Sequence, residues 1–165
     1  MTHVIGCQQS PRRGTEVIES YTADGATFRL RVREFNEEHP VLLSKCYFVV
    51  EYAPAGTESW RELATDITDD DIPIPSDHIR FIDDMTAYVF LWRLFASTTD
   101  GGRTWSVWDA REEVLDWECC NQAYIKALEV GGNGKGSMTL APKFRDIEVR
   151  ELHTSDFGKH WYPRR

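Results

Sequence analysis

Residues 97–105 read STTDGGRTW, and residues 154–161 repeat the pattern as TSDFGKHW. In the first stretch Asp100 is placed to accept hydrogen bonds from backbone N–H groups of its own turn. Gly102 suits a position of positive φ because it has no Cβ, and Thr104 is placed to return its hydroxyl to the turn. Trp105 supplies a large ring for the core. We call residues 98–105 and 154–161 the first and second Asp-Gly-Trp turns, and we expect both to serve folding.

Outward from these turns, the hydrophobic pattern indicates β-strands. In residues 28–33, Phe28, Leu30 and Val32 share one face and three arginines share the other. Residues 86–97 are apolar on both faces, which is typical of one central strand of a sheet. We expect residues 131–136 (GGNGKG) to form a hairpin connection, because the Lys-Ser/Thr of a phosphate loop is missing. Further strands are predicted at residues 47–51, 59–63, 78–82, 123–130, 137–140 and 147–153.

A unit of strand, glycine-containing turn and tryptophan recurs along the chain, ending at Trp60, Trp105 and Trp161. Such spacing is typical of propeller blades, but three units are fewer than the roughly 4 to 8 blades of a closed ring. The sequence therefore predicts an all-β fold of successive antiparallel hairpins. The packing is expected to be propeller-blade-like or sandwich-like, and not a closed six-bladed propeller. Residues 15–165 are predicted to form one domain behind a flexible N-terminal tether, residues 1–14.

The formal net charge of the 165 residues is −8, which argues against a nucleic-acid partner because phosphate binding requires a basic face. An acidic surface serves solubility or attracts a basic patch on another protein. Neither the histidines nor the four cysteines show metal-ligand spacing, so no cofactor is predicted.

Residues 4–7 (VIGC) have the form of a bacterial lipobox, which would leave Cys7 as the site of lipid attachment. The alternative is a chance match. With the lipobox, the protein would be periplasmic and would contact a membrane only through that lipid; without it, it would be cytoplasmic. In an oxidising compartment Cys46 would pair with Cys119 or Cys120, and we take Cys46–Cys119 as the candidate disulfide. In a reducing compartment these thiols would be small buried hydrophobes.

The two Asp-Gly-Trp turns resemble the Asp-box, or BNR, repeats of sialidases and other β-propeller proteins. The matching positions are Thr98, Asp100, Gly102, Thr104 and Trp105 in the first turn, and Thr154, Asp156, Gly158 and Trp161 in the second. In the second turn His160 stands where threonine is usual. In that family the boxes lie at the periphery of the blades, away from the ligand, so the resemblance implies a structural role.

Catalysis is not predicted. Sialidase chemistry would require a six-bladed ring, which 165 residues do not build at usual blade lengths. No Gly-x-Ser-x-Gly nucleophile elbow is present. Neighbouring carboxylates such as Asp83 and Asp84 would point apart in a strand and would not act as a catalytic pair.

The C-terminal part also resembles the Tli-type immunity lipoproteins that accompany antibacterial phospholipase effectors of type VI secretion. The shared positions lie in residues 119–125, 134–140 and 152–161. The resemblance implies a non-enzymatic periplasmic protein whose partner is a secreted effector. Such a protein would cover the effector's surface or active-site mouth, which would carry a basic patch.

For that partner surface we expect the acidic loop that contains Asp69, Asp70 and Asp71, unless the loop is only solvated. The competing hypothesis is a carbohydrate-binding or envelope-assembly module built from the same hairpins. A third is a small hydrolase, which would need a deep pocket with strongly shifted carboxyl pKa values.

Overall fold

A computed structural model describes residues 16–37, 45–68, 77–110, 123–142 and 150–164. Twelve β-strands in these ranges form three separate four-stranded sheets, and each sheet takes four strands that are consecutive in the chain. Every strand pairs antiparallel with its sequence neighbour. The prediction of an all-β fold of successive antiparallel hairpins is therefore confirmed, and each sheet is an open, blade-like unit.

The first sheet contains the longest strands. They are β1 (Glu16–Asp24), β2 (Phe28–Glu37), β3 (Lys45–Pro54) and β4 (Arg61–Thr68). The predicted alternation in β2 is present, because Phe28, Leu30 and Val32 are buried while the arginines between them lie on the opposite face. Strand β1 has no counterpart among the strands expected from the sequence.

The second sheet has short strands, and its two central strands are buried along their whole length. They are β5 (Ile79–Phe81), β6 (Ala87–Leu91), β7 (Leu94–Thr98) and β8 (Ser106–Asp109). The third sheet consists of β9 (Ala123–Val130), β10 (Gly136–Pro142), β11 (Arg150–Thr154) and β12 (Tyr162–Pro163). The GGNGKG stretch forms the β9–β10 hairpin connection, as predicted, with its last residue, Gly136, already paired in β10.

The expectation of one strand over residues 86–97 is wrong. Trp92 and Arg93 form a two-residue turn, so that Leu91 pairs with Leu94 and the stretch folds back as the β6–β7 hairpin. Trp92 has a positive φ of 29°, which tight hairpin turns require but which bulky residues rarely adopt. The turn is joined to both neighbouring segments, because the N–H of Ala110 donates to the Arg93 carbonyl and that of Ile125 to the Trp92 carbonyl.

The second sheet lies between the other two. One of its faces carries Val89, Leu91 and Ala96, which pack with Val32 and Val50 of the first sheet. The other face packs against the third sheet in a larger cluster that contains Tyr88, Phe90, Phe95, Met138, Leu140, Leu152 and Trp161. The double burial explains why residues 87–91 and 94–96 are apolar on both faces, since both faces of β6 and β7 are covered.

Candidate functional site

The first Asp-Gly-Trp turn joins β7 to β8 and is closed by hydrogen bonds among its own residues. Asp100 Oδ1 accepts from the Thr104 N–H at 2.9 Å, and Asp100 Oδ2 accepts from the Thr104 hydroxyl at 2.6 Å. The buried Thr98 hydroxyl donates to Asp100 Oδ1 at 2.9 Å and accepts from the Gly102 N–H at 3.1 Å. Trp105 Nε1 donates to the Gly102 carbonyl at 3.2 Å. Both carboxylate oxygens of Asp100 are therefore engaged within the turn.

The second turn joins β11 to β12 and repeats the bonds of the aspartate and the first threonine with one substitution, but Trp161 Nε1, unlike that of the tryptophan in the first turn, is buried without a hydrogen-bond partner among the described residues. The Thr154 hydroxyl donates to Asp156 Oδ1 at 2.8 Å and accepts from the Gly158 N–H at 2.9 Å. His160 replaces the threonine of the first turn: its N–H donates to Asp156 Oδ1 at 3.1 Å, and its Nδ1 lies 2.6 Å from Asp156 Oδ2. The imidazole thus occupies the place that a hydroxyl fills in the first turn.

Hydrogen bonding sets the pKa of both turn aspartates. The Thr104 hydroxyl and N–H, with smaller help from Thr98, lower the pKa of Asp100 to about 2. At Asp156 burial opposes ionisation, but the hydrogen bonds from His160 and Thr154 outweigh it and the pKa lies below its ordinary value. Both groups are therefore anions at neutral pH that are held by donors of their own turns.

We expect Asp100→Asn to make the protein less sensitive to acid. Because the pKa of Asp100 is lower in the folded state than in the unfolded state, its ionised form stabilises the fold above about pH 4, and this contribution is lost as the pH falls towards about 2. The asparagine keeps an acceptor oxygen but does not titrate. Urea denaturation between about pH 7 and about pH 2.5 should therefore show a smaller loss of unfolding free energy in the variant.

The control for this experiment is Glu129→Gln, which removes an exposed carboxylate of β9 in the third sheet, outside the turn. It should leave the acid dependence close to that of the unchanged protein. Equal acid dependence in Asp100→Asn and the unchanged protein would show that the turn does not hold this carboxylate as described.

The tryptophan that ends each turn packs on the preceding sheet. Trp105 lies against Phe28 and Tyr52 of the first sheet, with ring centroids 5.9 and 5.8 Å away. Trp161 lies against Phe95 and Trp108 of the second sheet, at 5.4 and 6.3 Å. Each turn therefore places its tryptophan at the contact between two sheets.

In every sheet a backbone hydrogen bond joins two of the connections between strands. In each case an N–H of the turn between the third and fourth strands donates to a carbonyl of the loop between the first and second strands. The three bonds are Ala55 to Thr27 (3.0 Å), Gly101 to Met85 (2.9 Å) and Phe157 to Gly134 (2.9 Å). Because Thr27 also bonds to Asp84 and Gly132 lies beside Ile82, the three loops, and with them the three turns, lie at one end of the stacked sheets.

At this end the β5–β6 loop presents an apolar side chain between acidic ones. Met85 is one of the few large hydrophobic residues that are exposed, at 40 %, and Asp83 and Asp84 precede it. We call residues 83–86 the acidic methionine loop. The two aspartates lie in a bend between β5 and β6, in the gap between the strands predicted at residues 78–82 and 86–97. The exposed methionine was not predicted.

The acidic methionine loop is fixed in place by hydrogen bonds. Asp83 Oδ1 accepts from the N–H groups of Met85 and Thr86 at 2.8 and 2.7 Å, and the Met85 N–H bond lowers the pKa of this carboxyl group. The Thr27 hydroxyl of the first sheet donates to the Asp84 carbonyl. Together with the Gly101 bond, these contacts hold the loop from its own residues, from the first sheet and from the first Asp-Gly-Trp turn.

The face of the first sheet that points away from the second carries three arginines, of which two share one buried carboxylate. Arg31 and Arg33 each place a guanidinium nitrogen 2.7 Å from the buried Glu51 carboxylate. The guanidinium carbons of Arg31 and Arg29 lie 4.0 and 4.9 Å from the centroid of the Trp60 ring, within the range of cation–π attraction. We call these five residues the arginine–tryptophan face.

Several predicted site residues lie outside the described residues: Asp69, Asp70, Asp71, Cys7 and Cys119. Cys46 lies in β3, where only its backbone is described, so the disulfide and lipid attachment stay predictions. Among the aromatic residues, which are the usual anchors of a protein interface, Trp108 is buried and Tyr162 is 58 % exposed.

Among the residues that the structure describes, no group of three or more histidine, cysteine, aspartate or glutamate side chains is arranged to hold a metal ion. In the same ranges, no helix has the length and apolar character needed to cross a membrane.

No family model, curated protein or solved structure matches the chain. The resemblances to Asp-box proteins and to immunity lipoproteins therefore stay predictions.

Proposed function

We propose that the protein is a non-enzymatic binding protein that neutralises a secreted antibacterial effector of the lipase type in the periplasm by covering its surface. The acidic methionine loop is the observation that carries the proposal. It combines an exposed apolar side chain with two neighbouring carboxylates on a backbone that is already fixed by hydrogen bonds.

This combination suits protein recognition. Methionine is enriched at interface cores, where its unbranched chain adapts to the partner's shape. A loop that is ordered before binding loses little conformational entropy on association, so more of the contact energy appears as affinity. The adjacent carboxylates attract a basic patch and raise the association rate. The loop containing Asp69, Asp70 and Asp71, predicted from the sequence, would extend the same acidic surface.

Three carboxylates of the described residues are engaged by hydrogen bonds or ion pairs within the fold, which also supports a binding role and not a catalytic one. Asp100 and Asp156 are held by donors of their own turns, and Glu51 is held by two arginines. A carboxylate whose oxygens are already occupied is a poor general base, because both lone-pair sites and orientation are committed.

The test is whether the purified chain binds a purified secreted lipase-type protein encoded by a gene next to its own, measured by surface plasmon resonance; absence of such a gene would contradict the proposal. We expect Met85→Ala to weaken binding by at least about tenfold, mainly through faster dissociation, because it removes the apolar anchor. Asp84→Lys should slow association and make it less sensitive to salt, since it removes a steering charge. Asp69/Asp70/Asp71→Ser tests the predicted acidic loop in the same assay.

The matched control is Glu62→Lys, an equal charge change at an exposed position of β4. It should bind as the unchanged protein does. Unchanged affinity in both Met85→Ala and Asp84→Lys would remove the loop from the binding surface. Failure of the unchanged protein to bind the effector, together with binding to glycans on an array, would favour the carbohydrate-binding alternative.

A further inference from the structure

At both contacts between sheets, a tryptophan that follows the turn before the last strand packs on the preceding sheet. The first sheet has a tryptophan at the same place, but no sheet precedes it in the described structure. Trp105 of the second sheet lies on the first, and Trp161 of the third sheet lies on the second. Trp60 follows the corresponding β3–β4 turn, but it stacks with Arg29 and Arg31, which point away from the second sheet. Among the described residues, no other sheet covers Trp60.

The arginine–tryptophan face carries positive charge that is accessible to a partner. Glu51 balances only one of the two guanidinium groups that hold it, and the carboxylate partner of Arg29 is the exposed Glu58, 3.3 Å away. The side chains of Arg29, Arg31 and Arg33 remain 21–26 % exposed. Tryptophan and arginine are the residue types most enriched among the energetic centres of protein interfaces.

At the other end of the stack, the third sheet has an outer face of opposite character. Met138, Leu140 and Leu152 point inward, so the residues that alternate with them point outward. Cross-strand pairing places Ser137 between Glu129 and His153, and Thr139 between Ala127 and Glu151. Small side chains thus form the middle of this face, glutamates lie on its β9 and β11 strands, and the exposed Lys126 lies at the register shift of β9.

We propose that a second copy of this chain docks the outer face of its third sheet on the arginine–tryptophan face of the first copy. Trp60 and the guanidinium groups would lie over Ser137 and Thr139, where small side chains leave room for a flat ring. Glu129 offers a carboxylate to the arginines, whereas Glu151 already pairs with Arg164 at 2.6 Å. The exposed Tyr162 ring, on the strand beside His153, adds apolar contact area.

The contact joins two different faces, so it is heterologous and each copy presents both halves of it. Such contacts close into a ring where the rotation between copies allows it and otherwise extend the stack. The acidic methionine loop lies at the turn end of the sheets, so this association uses a different surface from the proposed function and does not depend on it.

The experiment is sedimentation velocity of the purified full chain over a concentration series up to about 1 mM, the range in which weak associations appear. We expect concentration-dependent oligomers. Ser137→Trp should weaken the association at least about tenfold, because a large side chain fills the space meant for Trp60. Trp60→Ala should weaken it to a similar extent.

Ser155→Trp is the matched control, since it places the same side chain at an exposed serine in the second turn, away from the sheet face. It should associate as the unchanged protein does. Thermal melts establish that the variants are folded. A chain that stays monomeric over the whole series, or an association that Ser137→Trp leaves unchanged, would overturn the proposal.

Discussion

Gly158→Ala is expected to destabilise the protein by about 3 kcal/mol or more, because two penalties add at this position. Gly158 has a φ of 80°, in the left-handed region where an L side chain is strained by about 1–2 kcal/mol. A Cβ would also lie 2.5 Å from Phe95 Cζ and 3.2 Å from Trp161 Cζ2. Both rings belong to the core between the second and third sheets, so neither is free to move aside.

Gly56→Ala is the matched control, because Gly56 has nearly the same backbone conformation, with a φ of 73°, and nothing lies within 4 Å of an added Cβ. It should lose only the backbone contribution, about 1 kcal/mol. Urea denaturation followed by tryptophan fluorescence gives both unfolding free energies. Equal losses in the two variants would show that the second turn is not packed against Phe95 as described.

Glu51→Gln is expected to destabilise the protein by about 2 kcal/mol, which is less than the roughly 3–5 kcal/mol of a fully buried ion pair. The substitution keeps the shape of the side chain but leaves Arg31 and Arg33 without their shared anion. The loss of unfolding free energy is large because the Glu51 side chain is only 9 % exposed. It stays below that of a fully buried pair because the two guanidinium groups keep partial contact with water.

Glu58→Gln provides the comparison, since Glu58 also pairs with an arginine of β2 but its side chain is 87 % exposed. Its removal should change the unfolding free energy by less than about 0.5 kcal/mol, as is usual for surface pairs. Equal effects of the two substitutions in urea denaturation would contradict the description of Glu51 as the anchor of the arginine–tryptophan face.

The sequence was informative about the fold where local chemistry determines the backbone. The alternation of Phe28, Leu30 and Val32 predicted β2, and the recurrence of Trp60, Trp105 and Trp161 matches the three sheets. The Trp92–Arg93 turn was missed because neither residue is a usual turn former, and tertiary contacts on both sides hold Trp92 at positive φ. The mixed polarity of β1 gave no clear period.

The candidate site was less predictable because exposure and three-dimensional neighbourhood decide it. The hydrogen bonds of Asp100 and Thr104 are local and were expected from the turn pattern. Met85 was not, since an exposed methionine and a core methionine look the same in a sequence. Met85 lies beside Gly101 only because the second sheet brings the two loops together. The two aspartates that precede Met85 can be read from the sequence, but their exposure cannot.

Each of the two Asp-Gly-Trp turns carries the tryptophan that packs on the preceding sheet, so a four-stranded sheet with its turn already contains the residue that attaches it to its neighbour. A duplicated four-stranded sheet would contain both the hydrogen-bonded turn that closes its last hairpin and the tryptophan that packs on the preceding sheet. Architectures of this kind can lengthen by duplication without first inventing a new contact, and the near-identical bonding of Asp100 and Asp156 is what such a history would leave.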